Sequence, residues 1–374
     1  MKIVYVITGL GVGGAERVVC DLADWAAGEG HDVTIVYLTG DAQIVPKHGA
    51  VRLVPLRMKK GGRALVRGFV DLVRFLRRTK PDVVHSHLVH ANIACRLARL
   101  FCRVPCVISS AHNPNEQSKL RVLCYRFTDA LATISTNVSR SAVNAFVAQR
   151  AVRPGRMRAI YNGISTEKFQ YRADVRAETR RELRVANNCV VLLAVGRLTP
   201  AKDYPTLLRA IQLLASQEKY FHLYIAGDGV EREALLRLTA ELQITKYVTF
   251  LGVRDDIPGL MCAADVFVLS SAWEGFGLVV AEAMACERVV VVTDCGGTKE
   301  IADGIGFFVP VGSPAALAQA LSKVMKLDAS TRCEVGLRAR KRILECFSSE
   351  AAHKDWAKLY RDVMASAHPQ RVIQ

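Results

Sequence analysis

The sequence predicts an α/β protein made of two doubly wound domains, each a parallel sheet covered by helices on both faces. Three observations carry this. The chain has 374 residues, more than one hydrophobic core ordinarily holds. Apolar runs of strand length alternate with helical stretches from end to end, the pattern of parallel strands buried on both sides. The alternation lapses once, over the polar, Arg/Glu-rich stretch from Ser165 to Ala186, which marks a boundary. The expected division is residues 1–170, residues 171–350 and a terminal helix over residues 351–374.

In the first series the expected strands are Ile3–Thr8, Val33–Leu38, Arg52–Leu56, Val83–His87, Cys106–Ala111, Ala130–Ile134 and Met157–Tyr161. In the second they are Val190–Val195, His222–Ala226, Val248–Leu251, Val266–Ser270, Val289–Thr293 and Gly306–Val309. Each is short, rich in Val, Ile and Leu, and bounded by Gly or polar residues. Open parallel sheets bind ligands beyond the carboxyl ends of their strands, so the residues that follow each strand are the candidates for function. Two such domains are expected to face each other across a cleft. The last helical stretch, Ser348–Ala367, repeats Trp356, Leu359, Tyr360 and Val363 at helical spacing. That stripe predicts a core or docking face, set against the first domain.

Composition narrows the class. Hydrophobic content of 51% with 23% charged residues reads as globular. The 11 cysteines are odd in number and never spaced CxxC, which suits reduced, mostly buried thiols in a cytoplasmic protein and gives no zinc site. The N-terminal run MKIVYVITGLGVGG turns into glycines and has no charged leader beyond Lys2, so it reads as a first strand rather than a signal peptide. No apolar run approaches the ~20 residues that span a bilayer.

The net charge of +16 is uneven: residues 1–170 hold 25 Lys+Arg against 11 Asp+Glu, the remainder 26 against 24. The basic residues crowd between Arg57 and Lys80, and from Ala64 to Arg78 they flank an apolar stripe at helical spacing. An anionic membrane surface would take such a face, each cation adding ~1 kcal/mol. Nucleic acid is the competing partner, though no nucleic-acid motif accompanies it. An ordinary surface helix packed on its own domain is the plain alternative.

Several strand ends carry chemistry. The first runs into Gly9-Leu10-Gly11-Val12-Gly13-Gly14 before a helix, a spacing shared with dinucleotide-binding loops. The acidic residue that should end the second strand is missing, because Thr39 and Gly40 stand there. What survives is a backbone that a phosphate or sugar can approach. The second series opens with Gly196-Arg197-Leu198-Thr199-Pro200-Ala201-Lys202. Its two cations, Arg197 and Lys202, suit the growing charge of a diphosphate leaving group. Glycine turns then close strand after strand, at Gly227-Asp228-Gly229, Gly252-Val253-Arg254 and Gly296-Gly297-Thr298, as a backbone-lined nucleotide site would require.

The stretch from Trp273 to Cys286 places Glu274 and Glu282 on either side of Gly275-Phe276-Gly277-Leu278. A helix start favours phosphate, and carboxylates accept hydrogen bonds from sugar hydroxyls. A buried strand, a Gly turn and a helix with a chance Glu is the other reading. In the first series His112 follows a strand, and His85, His87 and His90 form HSHLVH after the preceding one. His85 and His87 share one strand face without a nearby carboxylate or Cys, which argues against a metal. No DxD pair occurs. Charge compensation therefore falls to Arg197, Lys202 and helix ends, with no metal or cofactor expected.

Together these segments resemble the retaining glycosyltransferases of family 4, with the GT-B fold. The carrying residues are GGAER (Gly13–Arg17), His112 of SSAHN, YNGIS (Tyr161–Ser165), GRLTPAKDYPTLLRA (Gly196–Ala210), AGDG (Ala226–Gly229), FLGVRDDIPGLMCAADVFVLSS (Phe250–Ser271) and WEGFGLVVAEAMAC. The resemblance implies roles. Glu282 binds the ribose hydroxyls and Glu274 the donor sugar. Arg197 and Lys202 stabilise the diphosphate, which Gly13 and Gly14 approach from the other domain. Phe276, Gly277 and Leu278 offer backbone N–H groups, Val253 or Arg254 contacts the base through its main chain, and His112 sits over the sugar and assists catalysis. Lys299 stands where the family often has Pro or Arg.

Such enzymes retain the anomeric configuration, by front-face attack assisted by the leaving phosphate. That needs no acid and base pair at glycosidase spacing. The segment GLGVGGAERVVCDLAD resembles bacterial enzymes of surface polysaccharide, lipopolysaccharide or lipid-linked oligosaccharide synthesis. This implies a UDP-linked donor, a membrane-held acceptor and a place on the inner face of the cytoplasmic membrane. A nucleotide-sugar hydrolase or epimerase of the same fold, an NAD-dependent oxidoreductase and a non-catalytic partner of another transferase are the alternatives.

Overall fold

The computed structural model describes residues 1–11, 13–59, 61–114, 118–186 and 188–367. Val12 of the first glycine motif and Lys60 of the basic cluster lie outside the described residues. The chain divides into two compact units, Met1–Asn162 with Ala352–Gln374, and Gly163–Ala351.

The first unit is a wholly parallel sheet of seven strands: β1 (Lys2–Ile7), β2 (Asp32–Tyr37), β3 (Arg52–Pro55), β4 (Val83–His87), β5 (Cys106–Ser110), β6 (Ile134–Asn137) and β7 (Met157–Ala159). Their spatial order is β3-β2-β1-β4-β5-β6-β7. Helices cover both faces, which is why β1, β4 and β5 read as nearly continuous apolar runs. On one face the helix Gly14–Gly28 contributes Val19, Leu22, Ala23 and Ala26. The terminal helix Ser349–Ala367 adds Trp356, Leu359, Tyr360 and Val363 to the same core. Each such large side chain stabilises by ~1.5–3 kcal/mol on burial. The expected docking stripe therefore seats on the first unit.

On the other face lie Leu72, Val73 and Leu76 of the helix Gly62–Thr79, and Ala91, Cys95 and Ala98 of the helix Val89–Ala98. Only the C-terminal half of the basic helix is buried this way. At its N-terminal end Leu65, Val66 and Val70 are exposed beside Arg63 and Arg67.

The second unit is a wholly parallel sheet of six strands: β8 (Val190–Val195), β9 (Phe221–Ala226), β10 (Val248–Gly252), β11 (Val266–Leu269), β12 (Val289–Thr293) and β13 (Phe307–Val309). Their order is β10-β9-β8-β11-β12-β13. The Ser165–Ala186 stretch lies inside this unit and forms the helix Ala173–Glu182. Its Arg176 and Arg180 both pair with Asp265, at 2.6 and 3.2 Å, and Arg176 also donates to three backbone carbonyls of residues 262–264. Charge pairing, rather than an apolar face, fastens this polar helix.

One expected strand is displaced. Ala130–Ile134 is not a strand: Asp129–Leu131 is a 3-10 turn, and β6 begins at Ile134 with the sequence ISTN. This strand is buried despite being polar, because its groups are paired. Ser135 Oγ accepts from the buried Arg96 at 2.8 Å, and Thr136 Oγ1 shares a hydrogen bond with Ser110 Oγ at 2.6 Å. Every other expected strand coincides with an observed one to within two residues at either end.

In each sheet the strand order reverses beside its first strand. β1 lies between β2 and β4, and β8 between β9 and β11. The crevices beyond β1/β4 and β8/β11 are therefore the switch points where ligands bind in such sheets.

Candidate active site

The second unit brings Arg197, Lys202 and Glu274 to its switch point, the first two after β8 and the last after β11. Lys202 Nζ pairs with Glu274 Oε1 at 2.5 Å, and both side chains are mostly buried. Ser271 Oγ donates to the same oxygen at 2.8 Å. The second carboxylate oxygen, Oε2, makes no hydrogen bond among the described residues. Glu274 is thus gripped on one side and free to accept hydroxyls on the other. Arg197 is exposed and forms no ion pair among the described residues. Sequence reasoning missed Ser271, although two serines closing an otherwise apolar strand were a signal.

Backbone stitching holds these loops. Ala272 N donates to Ala201 O at 2.9 Å, Ser270 Oγ to Lys202 O at 2.8 Å, and Tyr204 OH to Gly196 O at 3.2 Å. Burial pushes the Tyr204 phenol well up from its ordinary range, so this hydroxyl stays a donor. The glycine turns take part in the same stitching. A Cβ on Gly227 would fall inside the carbonyl of Gly196, one on Gly229 inside that of Leu198, and one on Gly296 inside that of Glu274. Gly297 packs less tightly, a Cβ there meeting Gly275 O at 2.7 Å and Phe276 Cα at 2.8 Å. These four glycines let loop backbones touch one another, which holds the rim of the switch point together.

Gly277, at φ +96, turns the chain into the helix Leu278–Ala285 and stands at its N-cap. That start leaves N–H groups of the first turn without helical acceptors. Phe276 buries its ring against Phe347 at 5.7 Å, so only its backbone can meet a ligand. Leu278 opens the helix and Glu282 stands in its second turn, partly exposed. Beyond β10, Val253 is exposed, and Arg254 is tied by two hydrogen bonds of 2.7 and 2.6 Å to Asp256. That pairing holds the Asp256 carboxyl below its usual range. With the guanidinium occupied, the main chain there is what a base could contact.

In the first unit Gly13, with extended backbone, caps the helix that begins at Gly14. The Glu16 carboxylate lies against Gly13 so closely that a Cβ would collide with it. Three histidines gather here, His85 and His87 within the last residues of β4 and His112 just past β5. His85 is fully buried, with Nδ1 2.8 Å from Tyr360 OH and Nε2 2.7 Å from Ser110 Oγ. His87, also fully buried, places Nδ1 3.0 Å from His112 Nε2. Burial lowers all three from the ordinary histidine value, His112 to about 4, so they are neutral near pH 7. Among the described residues no group of three or more His, Cys, Asp or Glu is arranged to hold a metal ion.

Two family models cover most of the chain, one described as Glycosyltransferase Family 4 over residues 12–168 and one as Glycosyl transferases group 1 over residues 189–326. A D-inositol 3-phosphate glycosyltransferase of Corynebacterium jeikeium is 33% identical over 311 residues, 77% of this chain and 74% of the relative. The chain belongs to glycosyltransferase family 4. It is therefore a transferase enzyme, and the switch-point residues above lie within the span matched over residues 189–326. The UDP-Gal:alpha-D-GlcNAc-diphosphoundecaprenol alpha-1,3-galactosyltransferase of Escherichia coli is 27% identical over 246 residues, 63% of each chain. The crystal structure of Anabaena Alr3699/HepE in complex with UDP and glucose covers 97% of this glycosyltransferase and 100% of its own chain. The TM-score is 0.86 at 22% identity, which establishes the GT-B fold.

Proposed function

We propose that this glycosyltransferase moves a sugar from a UDP-linked donor to a lipid-linked glycan, with retention and without a metal, in surface polysaccharide or lipopolysaccharide synthesis. The observation that carries the reading is the Lys202–Glu274 pair at the switch point of the second sheet. It sets a cation for the diphosphate beside a carboxylate with one oxygen left for the sugar. Arg197 adds a second cation, without an ion pair among the described residues. Glu282 on the adjoining helix takes the ribose, and Gly13 and Gly14 give the diphosphate a second approach. The main chain at Val253 and Arg254 meets the base. His112 contacts the donor sugar.

In the reaction the anomeric C1–O bond to the diphosphate breaks, and a C1–O bond to the acceptor hydroxyl forms on the same face. The hydroxyl proton passes to the departing phosphate oxygen, whose negative charge Lys202 and Arg197 stabilise. The Escherichia coli relative supports the donor and acceptor classes, since its name specifies UDP-Gal and a diphosphoundecaprenol acceptor.

A lipid-linked acceptor calls for an enzyme that works at a membrane, and an exposed surface of the first unit supports that reading. Leu65, Val66 and Val70 are exposed, Leu100 and Phe101 extend the apolar area, and Arg63, Arg67 and Arg77 edge it. Phe69 meets the Phe101 ring edge-on at 5.8 Å, and Arg77 donates to Phe101 O. No described helix is long and apolar enough to cross a membrane.

A panel of UDP- and GDP-sugars tested for nucleotide release with and without lipid-linked acceptor decides the reaction. Acceptor-dependent UDP release is expected and should survive EDTA. Release without acceptor identifies a hydrolase, and loss with EDTA removes the metal-free mechanism. Glu282→Ala should weaken donor binding about tenfold or more, the worth of a charged hydrogen bond. Flotation with anionic liposomes, lost in Leu65→Asp, checks the membrane surface.

A further inference from the structure

We propose that His87 is a positioning residue that holds His112 in one tautomer, with the ring proton on Nδ1. The inference deepens the reading of His112 as a donor-sugar contact and rests on it for its kinetic consequence.

His87 Nδ1 and His112 Nε2 stand 3.0 Å apart, so one must donate and the other accept. The choice is made at the far side of His87. Its Nε2 is buried and has no hydrogen-bond partner among the described residues. If His87 Nδ1 accepted, the neutral ring would carry its proton on Nε2, leaving a buried N–H with no acceptor. If His87 Nδ1–H donates, Nε2 is only a bare lone pair. Orphaned buried N–H groups are the rarer and costlier of the two. His87 is therefore the donor and His112 Nε2 the acceptor. A neutral His112 must then carry its proton on Nδ1, because the bond made by one ring nitrogen fixes the state of the other. His112 Nδ1 makes no hydrogen bond among the described residues. It is the nitrogen left for a ligand, and it meets a sugar oxygen as a donor.

Among the described residues no neighbour competes for this bond. His85 lies tilted against His87 at 4.1 Å between ring centres, but both its nitrogens are engaged by Tyr360 and Ser110. The backbone bears a second mark. Leu88, the residue after His87, has φ 71 and ψ 155, a region otherwise left to glycine that costs ~1–3 kcal/mol. It is kept there by Leu88 N–H donating to Ser110 O and by Asn92 N–H donating to Leu88 O. Asn92 Nδ2 donates to Ser110 O as well, at 2.9 Å. Strain maintained directly beside His87 marks that side chain's placement as something the fold imposes.

The test is ¹⁵N–¹H correlation of the histidine rings in the full chain, comparing wild type, His87→Leu and His87→Asn. Wild type should show His112 with its proton on Nδ1. His87→Leu should move it to Nε2. His87→Asn, whose amide donates from near the Nδ1 position, should restore Nδ1. Donor turnover should follow, with kcat falling by up to about 10²-fold in His87→Leu and recovering in His87→Asn, at little change in KM. A wild-type proton on Nε2 overturns the proposal even if neither variant folds, as does an unchanged tautomer in folded His87→Leu. Full turnover in His112→Ala would instead remove the donor-contact reading and leave the measured tautomer standing.

Discussion

The two sheets share topology, yet their carboxyl edges are built from opposite materials. In the first unit, β4, β5 and β6 end in HSH, SS and ISTN, and their polar groups are buried, neutral and linked to one another. In the second unit, β8 and β11 are apolar to their ends, β12 is apolar up to Thr293, and the charges stand on loops held by close glycine packing and a few hydroxyl hydrogen bonds. A neutral network fixes where protons and lone pairs sit. A glycine-packed rim holds a cation and a carboxylate where they can meet changing charge. One edge orients, the other supplies charge.

The contrast is broken most severely at the glycine rim. Gly296→Ala would drive a Cβ into Glu274 O at φ +56. It should destabilise the second unit by about 3 kcal/mol and abolish turnover. Gly28→Ala, with nothing within 4 Å of its Cβ, is the matched substitution expected to be neutral or stabilising in urea unfolding. Next comes the charge itself. Lys202→Ala should lower kcat by ~10²–10³ while the fold, read by circular dichroism, is kept. Wild-type kcat in that variant would deny the second edge its electrostatic role.

The neutral edge is tested by protons and by packing. A histidine depressed in the folded state is neutral in both states above its unfolded value of 6.5. As pH falls from 6.5 toward about 4 the unfolded chain binds the proton first, so stability is lost on acidification. His112→Gln should therefore reduce the slope of unfolding free energy between these values by about one proton. An unchanged slope would show that His112 is not held neutral by burial. The smallest effect is expected from Tyr360→Phe, which takes the hydroxyl from His85 and Tyr5. A loss of about 1–2 kcal/mol is expected by thermal unfolding.

What the sequence made legible followed from burial. Strands covered on both faces announce themselves as Val/Ile runs, and the Trp356–Val363 stripe announced a docking helix. β6 escaped because its burial rests on paired hydroxyls and amides, which look like a loop to any apolar criterion. The Lys202 and Glu274 positions were visible as loop residues after strands, but their mutual bond was not, since 72 residues separate them. The glycines were visible but their packing partners were not: a close approach between two backbones leaves no trace in the partner's side chains. His87 drew notice only as a metal candidate, because its true partner, His112, follows the next strand.

The terminal helix gives the first unit an unusual timetable. Its wall over Ile3, Tyr5 and Ile35 is made from Trp356, Leu359 and Tyr360, residues synthesised after the whole of Gly163–Ala351. Domains tend to fold as they emerge from the ribosome. Here the sheet that emerges first waits with part of one apolar face open, beside the helix Gly14–Gly28, until the other domain is finished. A nascent chain halted before Ala352 would carry a complete second unit and a first one still lacking part of one wall.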